Sequence, residues 1–211
     1  MGELGELYKL LSGDIMHFIK IIAARLHDED EKVVVNAATA LGELKSPEAI
    51  AYLIEIIDSP SESVRLAVVT SIRSLMFWLS DIEGKNRLTY AMMAMLKDQS
   101  APIRAASVET LGYLENSEAL DALLEALSDQ DSSVRENATA ALGSFNFPNV
   151  IEALLGLIND SSVVVRWNAV TSLNKIGDRA CIGPISKLIN DPDESVRLAA
   201  KSFIDSFPAE S

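Results

Sequence analysis

An all-α fold is predicted for this chain: a right-handed α-solenoid of about six stacked antiparallel helix pairs. Three observations carry that prediction. A branched apolar residue followed by Arg recurs at the same place of five copies, as Val64-Arg65, Ile103-Arg104, Val134-Arg135, Val165-Arg166 and Val196-Arg197, with the arginines 39, 31, 31 and 31 residues apart. A weaker copy, Val33-Val34, stands 31 residues before the first and has Val in the place of Arg. Each copy also carries two runs of apolar residues at helical spacing, so it reads as helix, short turn, helix, short turn. Neither helix can bury its apolar face alone, and stacking supplies the cover.

In chain order, residues 3–12 and 14–27 read as a helix pair capping the stack over 1–28. Repeats follow over 29–59, 60–98, 99–129, 130–160 and 161–191, and 192–207 forms a terminal half repeat, all within one solenoid domain over 1–211. First helices carry small and aliphatic residues, such as Ala37, Ala40 and Leu41, or Ala169, Ser172 and Leu173, which suit close approach of neighbouring repeats. Second helices carry Leu53, Ile56 and Ile57, then Met92, Met95 and Leu96, then Leu123, Ala126 and Leu127. In the 130–160 copy, Asp129 to Ser133 is a polar turn suited to capping. Val134 to Phe145 forms its first helix. Pro148 opens the second, where a missing N–H costs little, and that helix runs to Ile158. The 60–98 copy is irregular. There Met76-Phe77-Trp78 prolongs the helix from Val64, and Asp81 to Asn86 forms a longer turn before Met92, Met93 and Met95.

The text from Asp129 to Gly143 fits Asp-x-x-x-x-Val-Arg-x-x-Ala-x-x-x-Leu-Gly, and Asp98 to Gly112 fits it with Ser107 in the Ala place. This pattern resembles the HEAT family, specifically the short repeats of about 31 residues associated with phycobilin lyases. The resemblance covers residues 28 to 205 and implies the stacked fold, with second helices lining the concave face. It says little about function, because unrelated activities share such scaffolds. Three departures stand out: Arg73 where other copies have Gly, Val34 in place of Arg, and a last copy that stops after one helix.

The arginine row invites a reading as an anion-binding stripe. Yet Asp98, Asp129, Asp160 and Asp191 each precede an arginine by six residues, and Arg65 has Ser59 at that place with Asp58 one residue earlier. Arg65, Arg104, Arg135, Arg166 and Arg197 with these aspartates are therefore expected to form a structural ladder. The pairs would form within a repeat or to the next one, with the Asp also capping the helix.

Eighteen basic against thirty-one acidic residues give a net charge of −13, which disfavours nucleic acid and anionic membranes as partners. Cys181 is the only cysteine, so no intrachain disulfide is expected and a reducing, cytoplasmic location is read from it. The run from Ile15 to Leu26 is too short and too polar to span a bilayer. His17 and His27 lack metal-ligand spacing, and the phosphate-loop and nucleophile motifs are missing. No cofactor, metal or catalytic residue is expected.

Partner-binding candidates lie on the second helices: Glu55 and Asp58, Tyr90, Asp121 and Glu125, Glu152 and Asn159, and Lys187. Trp167 joins them because its place in another copy is taken by Glu136, which marks it as outside the deep core. Phe77 and Trp78 are candidates in the irregular copy, with packing on the nearby methionines as the alternative. The expectation is a non-enzymatic scaffold that receives a basic or amphipathic helix of another protein on a concave acidic face. The alternative is a phycobilin-lyase-like protein handling a bilin on a phycobiliprotein. Self-association through the last copy's open end is a third possibility.

Overall fold

The structure, a computed structural model, describes residues 14–79 and 82–207. The helix expected over 3–12 lies outside them. All regular structure among the described residues is helical, and the chain divides into two compact units, Met1–Met95 and Leu96–Ser211.

In the first unit, helix α1 covers residues 14–23 and tightens into a 3-10 turn at Ala24–His27. Then come α2 (Glu31–Glu43), α3 (Ala49–Ile54), α4 (Glu62–Leu75) and α5 (Ile82–Met95). Leu41, Leu53, Val68, Ile72 and Leu75 are fully buried between these helices. Helices α2 and α4 touch so closely that a Cβ on Gly42 would lie 2.7 Å from the Ser71 Cβ.

Two expectations for the irregular copy are corrected. The helix from Val64 does not continue through Trp78; α4 ends at Leu75 and Met76–Trp78 forms a 3-10 turn. The longer turn expected up to Asn86 is helix from Ile82 onward. Leu88, Met92 and Met95 recur at helical spacing and are buried, and Glu83 suits the positive end of the helix they require.

The second unit contains α6 (Ala101–Leu114), α7 (Leu120–Ala126), α8 (Ser132–Leu142), α9 (Pro148–Gly156), α10 (Val163–Ile176), α11 (Ile182–Ser186) and α12 (Glu194–Asp205). First helices α6, α8 and α10 are longer than their partners, and α12 is the last helix of the unit. The first helix expected to reach Phe145 stops at Leu142, and α9 gives way to a 3-10 turn at Leu157–Asn159 instead of running to Ile158. The tighter turn lets the Asp160 N–H donate to the Leu157 carbonyl at 3.1 Å, satisfying a carbonyl left over at the helix end.

First helices open on Asp or Ser. Asp30, Asp131 and Asp193 accept the N–H two residues on, whereas Ser61 and Ser162 accept the one three residues on. Capping therefore falls two residues after the ladder aspartates, which corrects the expectation that those aspartates cap. Ser100 is the exception: it makes no capping bond, and its buried Oγ has no partner among the described residues.

Helix α6 ends at Glu115 in the left-handed region, with φ 50°, where α10 uses Gly177 with φ 74°. A side chain costs about 1 kcal/mol there, and the Glu115 side chain is exposed. Glu115→Gly is expected to raise stability by about 0.5–1 kcal/mol in urea unfolding; an unchanged midpoint would remove strain from the account of this turn.

Candidate functional site

The arginine row is internal. Arg104 donates from Nε and Nη2 to the two Asp129 carboxylate oxygens at 2.7 and 2.8 Å. Arg135 does the same to Asp160 at 2.8 and 2.9 Å, and Arg166 to Asp191 at 2.8 and 2.9 Å. Each pair spans 25 residues and ties a first helix to the turn that leads into the next first helix. The remaining nitrogen, Nη1, turns back to the turn that precedes its own helix. In Arg135 it donates to the carbonyls of Asp129 at 2.9 Å and Gln130 at 3.3 Å.

Asp129, Asp160 and Asp191 thus each serve three groups. The Asp129 carboxylate receives Arg104 and the Asp131 N–H, while its carbonyl receives Arg135. Arg65 and Arg197 make the backbone half of the pattern, Arg65 to Ser59 and Pro60, Arg197 to Asp191 and Pro192.

Side chains of the three pairs are only 4–14 % exposed. The hydrogen-bonded guanidinium beside each of Asp129, Asp160 and Asp191 holds its carboxyl below the ordinary carboxylate range, against the opposing pull of burial. A carboxyl depressed in the folded state contributes stability that is present above its unfolded pKa, about 3.9. That contribution is lost as pH falls through the lower folded value. Stability is therefore expected to drop steeply below about pH 4, and Asp160→Asn should flatten that drop while lowering stability at pH 7. Urea titrations from pH 7 to pH 2.5 check both halves.

The second-helix candidates differ in kind. Glu55, Asp58, Tyr90, Asp121, Glu125, Glu152, Asn159 and Lys187 are all exposed. In the second unit, Asp121 and Glu152 share one 31-residue register, and Glu125 and Lys187 share another. The side chains of Glu55, Asp58, Asp121, Glu125 and Glu152 enter no hydrogen bond or ion pair among the described residues. Asp129, Asp160 and Asp191 are thus committed to the ladder, whereas Asp121, Glu125 and Glu152 on the second helices, and Glu55 and Asp58 in the turn after α3 where a second helix was expected to carry them, are not.

Trp167 is 41 % exposed, and its apolar neighbours Val163 and Val164 are exposed as well. Leu198, in the same register one repeat on, is 57 % exposed. Elsewhere the opening residues of first helices are mostly polar, as in Ser132-Ser133 and Glu194-Ser195. Phe77 and Trp78 are 69 and 51 % exposed, while Met76, Met92 and Met95 are buried. The methionines pack inward and leave those two rings at the surface.

The last helix differs from its predecessors. Val108, Thr139 and Val170 are buried at one register, and α12 carries exposed Lys201 there.

Some residues escaped the sequence reading. Asn137 and Asn168 donate to the carbonyls of Ala105 and Glu136, both at 2.9 Å, bracing one first helix on the preceding one. Their signal was the 31-residue recurrence of Asn. A groove of about 440 Å³ lies beside Tyr113, Glu109, Asn137 and Lys175 on the first helices, a face without sequence candidates. Neither His17 nor His27 joins two further ligand-type residues, and no metal-capable group of three exists among the described residues. Burial pushes the Cys181 thiol pKa up, which keeps it protonated. Among the described residues no helix is long and apolar enough to cross a membrane.

A family model described as HEAT repeats matches residues 19–81, 90–164 and 151–204. No curated protein matches significantly. Among solved structures, an engineered protein is similar at 16 % identity, with 89 % of this chain and 95 % of that chain covered and a TM-score of 0.65. A designed armadillo repeat protein in complex with a (KR)4 peptide is similar at 19 % identity, covering 89 % of this chain and 98 % of that one, with a TM-score of 0.65. The complex of CpcE and CpcF of phycocyanin lyase from Nostoc sp. is similar at 21 % identity, over 75 % of this chain and 99 % of that one, with a TM-score of 0.56. At these identities the likeness is one of fold.

Proposed function

Because the chain belongs to the HEAT-repeat family, we propose that it is a non-enzymatic scaffold that binds another protein along the acidic row of its second helices. Its modules on this reading are the repeats over 29–59, 60–98, 99–129, 130–160 and 161–191. The observation that carries it is the division of the acids. Asp129, Asp160 and Asp191 are neutralised internally, whereas Glu55, Asp58, Asp121, Glu125 and Glu152 are exposed and uncommitted.

A row of uncommitted carboxylates favours a basic or amphipathic helix and speeds its encounter. Trp167 supplies an aromatic anchor of the kind that dominates interface energies, and Phe77, Trp78 and Tyr90 are further candidates. Similarity to a designed repeat protein that holds a peptide is in keeping with this reading. The bilin-handling alternative rests on likeness of fold alone. Self-association through α12 is disfavoured as an apolar stacking contact, since Lys201 is exposed where α6, α8 and α10 bury Val or Thr.

The test is fluorescence anisotropy with a labelled amphipathic helical peptide bearing Lys and Arg on one face. Binding is expected at low salt, weakening as salt rises. Affinity should fall at least about tenfold in the Asp121→Asn, Glu125→Gln, Glu152→Gln triple variant. Equal binding by that variant would sink the assignment of the row.

A further inference from the structure

We infer that the rung at Val34 and Ser59 is a receptor for an arginine side chain presented by a partner protein. This deepens the protein-binding reading above and rests on it. At every ladder arginine, Nη1 is held by two backbone carbonyls lying six and five residues earlier. The distances are 2.9 and 3.1 Å for Arg65 and for Arg104, 2.9 and 3.3 Å for Arg135, 2.9 and 3.4 Å for Arg166, and 2.8 Å twice for Arg197. In Arg104, Arg135 and Arg166 the outer edge meets an Asp 25 residues on.

The first repeat keeps this frame and lacks both side chains. Val34 stands in the arginine place, and Ser59, 25 residues on, stands in the aspartate place. The carbonyl positions belong to Asp28 and Glu29. The turn itself is preserved: Asp28 Oδ1 accepts the Asp30 N–H at 3.0 Å, as Asp129 accepts that of Asp131 at 2.9 Å. Ser59 keeps the turn half of the aspartate's work, accepting the Ser61 N–H at 3.3 Å, and offers no carboxylate. Among the described residues no donor reaches the Asp28 or Glu29 carbonyl.

A groove of about 460 Å³ lies at this rung. Its lining includes the buried Leu26, Val34 and Val64 and the exposed Glu31, Glu55 and Asp58. Apolar residues beneath and carboxylates around the mouth suit a side chain with an aliphatic stem and a cationic head. The frame narrows the choice to arginine. The same loop holds guanidinium at five other places in this chain, and the planar fork can meet carbonyl and carboxylate oxygens together, where an ammonium offers a point charge. The occupant is an arginine within a basic segment of another protein, drawn by a surface of net charge −13.

The experiment titrates the full 15N-labelled chain, at low salt, with a blocked nonapeptide of Gly and Ser carrying one central Arg. A twin peptide carries citrulline, the neutral isostere. Amide shifts are expected to cluster in residues 28–34 and 55–64, with the citrulline twin at least about tenfold weaker. Val34→Arg, which fills the rung with the chain's own guanidinium, should abolish those shifts and leave the Tm unchanged or higher. Asp58→Asn, which does not touch the core, should weaken binding several-fold. Glu152→Gln, the same charge change on the second-helix row of the other unit, should leave it unaltered. Equal binding of the citrulline twin, undiminished binding by Val34→Arg, or equal weakening by Glu152→Gln would overturn the receptor. Those results would leave the scaffold reading standing, since that reading fails only if the helical peptide ignores the triple variant.

Discussion

Arg135→Ala is expected to lower stability by about 3 kcal/mol, because it strands the Asp160 carboxylate in a nearly buried place with its counter-charge gone. For a chain of this size that corresponds to a fall in Tm of about 6–12 °C. The loss has two parts. Asp160 forfeits a bidentate partner, and the carbonyls of Asp129 and Gln130 lose their donor. Removing the carboxylate as well, in Arg135→Ala with Asp160→Ala, should cost less than the two single changes added together, since the stranded charge is then gone. Partner affinity should be unaltered at temperatures where the variant is folded. A normal Tm with impaired partner binding would return the arginine row to a functional role.

Gly143→Ala should destabilise by about 2 kcal/mol, whereas Gly156→Ala should stabilise by about 0.5–1 kcal/mol. Both glycines lie at the end of a helix, and simple propensity favours Ala at each. Their surroundings decide the opposite signs. A Cβ on Gly143 would stand 2.7 Å from the Ser172 Oγ, 2.9 Å from its Cβ and 3.1 Å from its Cα, so α8 and α10 must move apart. A Cβ on Gly156 meets nothing within 4 Å. Parallel urea unfolding of the two variants tests this; a shared sign would mean that the first helices are less closely seated than described.

Much of this was legible in the sequence. The all-α repeat fold follows from the 31-residue recurrence of Val-Arg, because a unit that cannot bury its own apolar face must stack. Exposure of Trp167 was legible from Glu136 at the same register, and the pairing of Arg with Asp from their constant spacing. What misled was local. Asp129, read as a cap, is spent on the arginine of the preceding first helix while Asp131 caps. The turn expected up to Asn86 is helix, since buried methionines further along impose the helical register upstream.

By itself, then, the sequence determined periodicity, helix polarity and the supply of charges, all of which are properties of spacing along one chain. Only the tertiary structure decided which acid each arginine meets. Asp129 is six residues from Arg135 and 25 from Arg104, and it gives its carbonyl to the nearer and its carboxylate to the farther. The carboxylate meets the preceding first helix and the carbonyl the following one, and only stacking reveals which helix lies at each. The same stacking makes the Val34 and Ser59 departures a single event, since residues 25 apart in the chain face one rung.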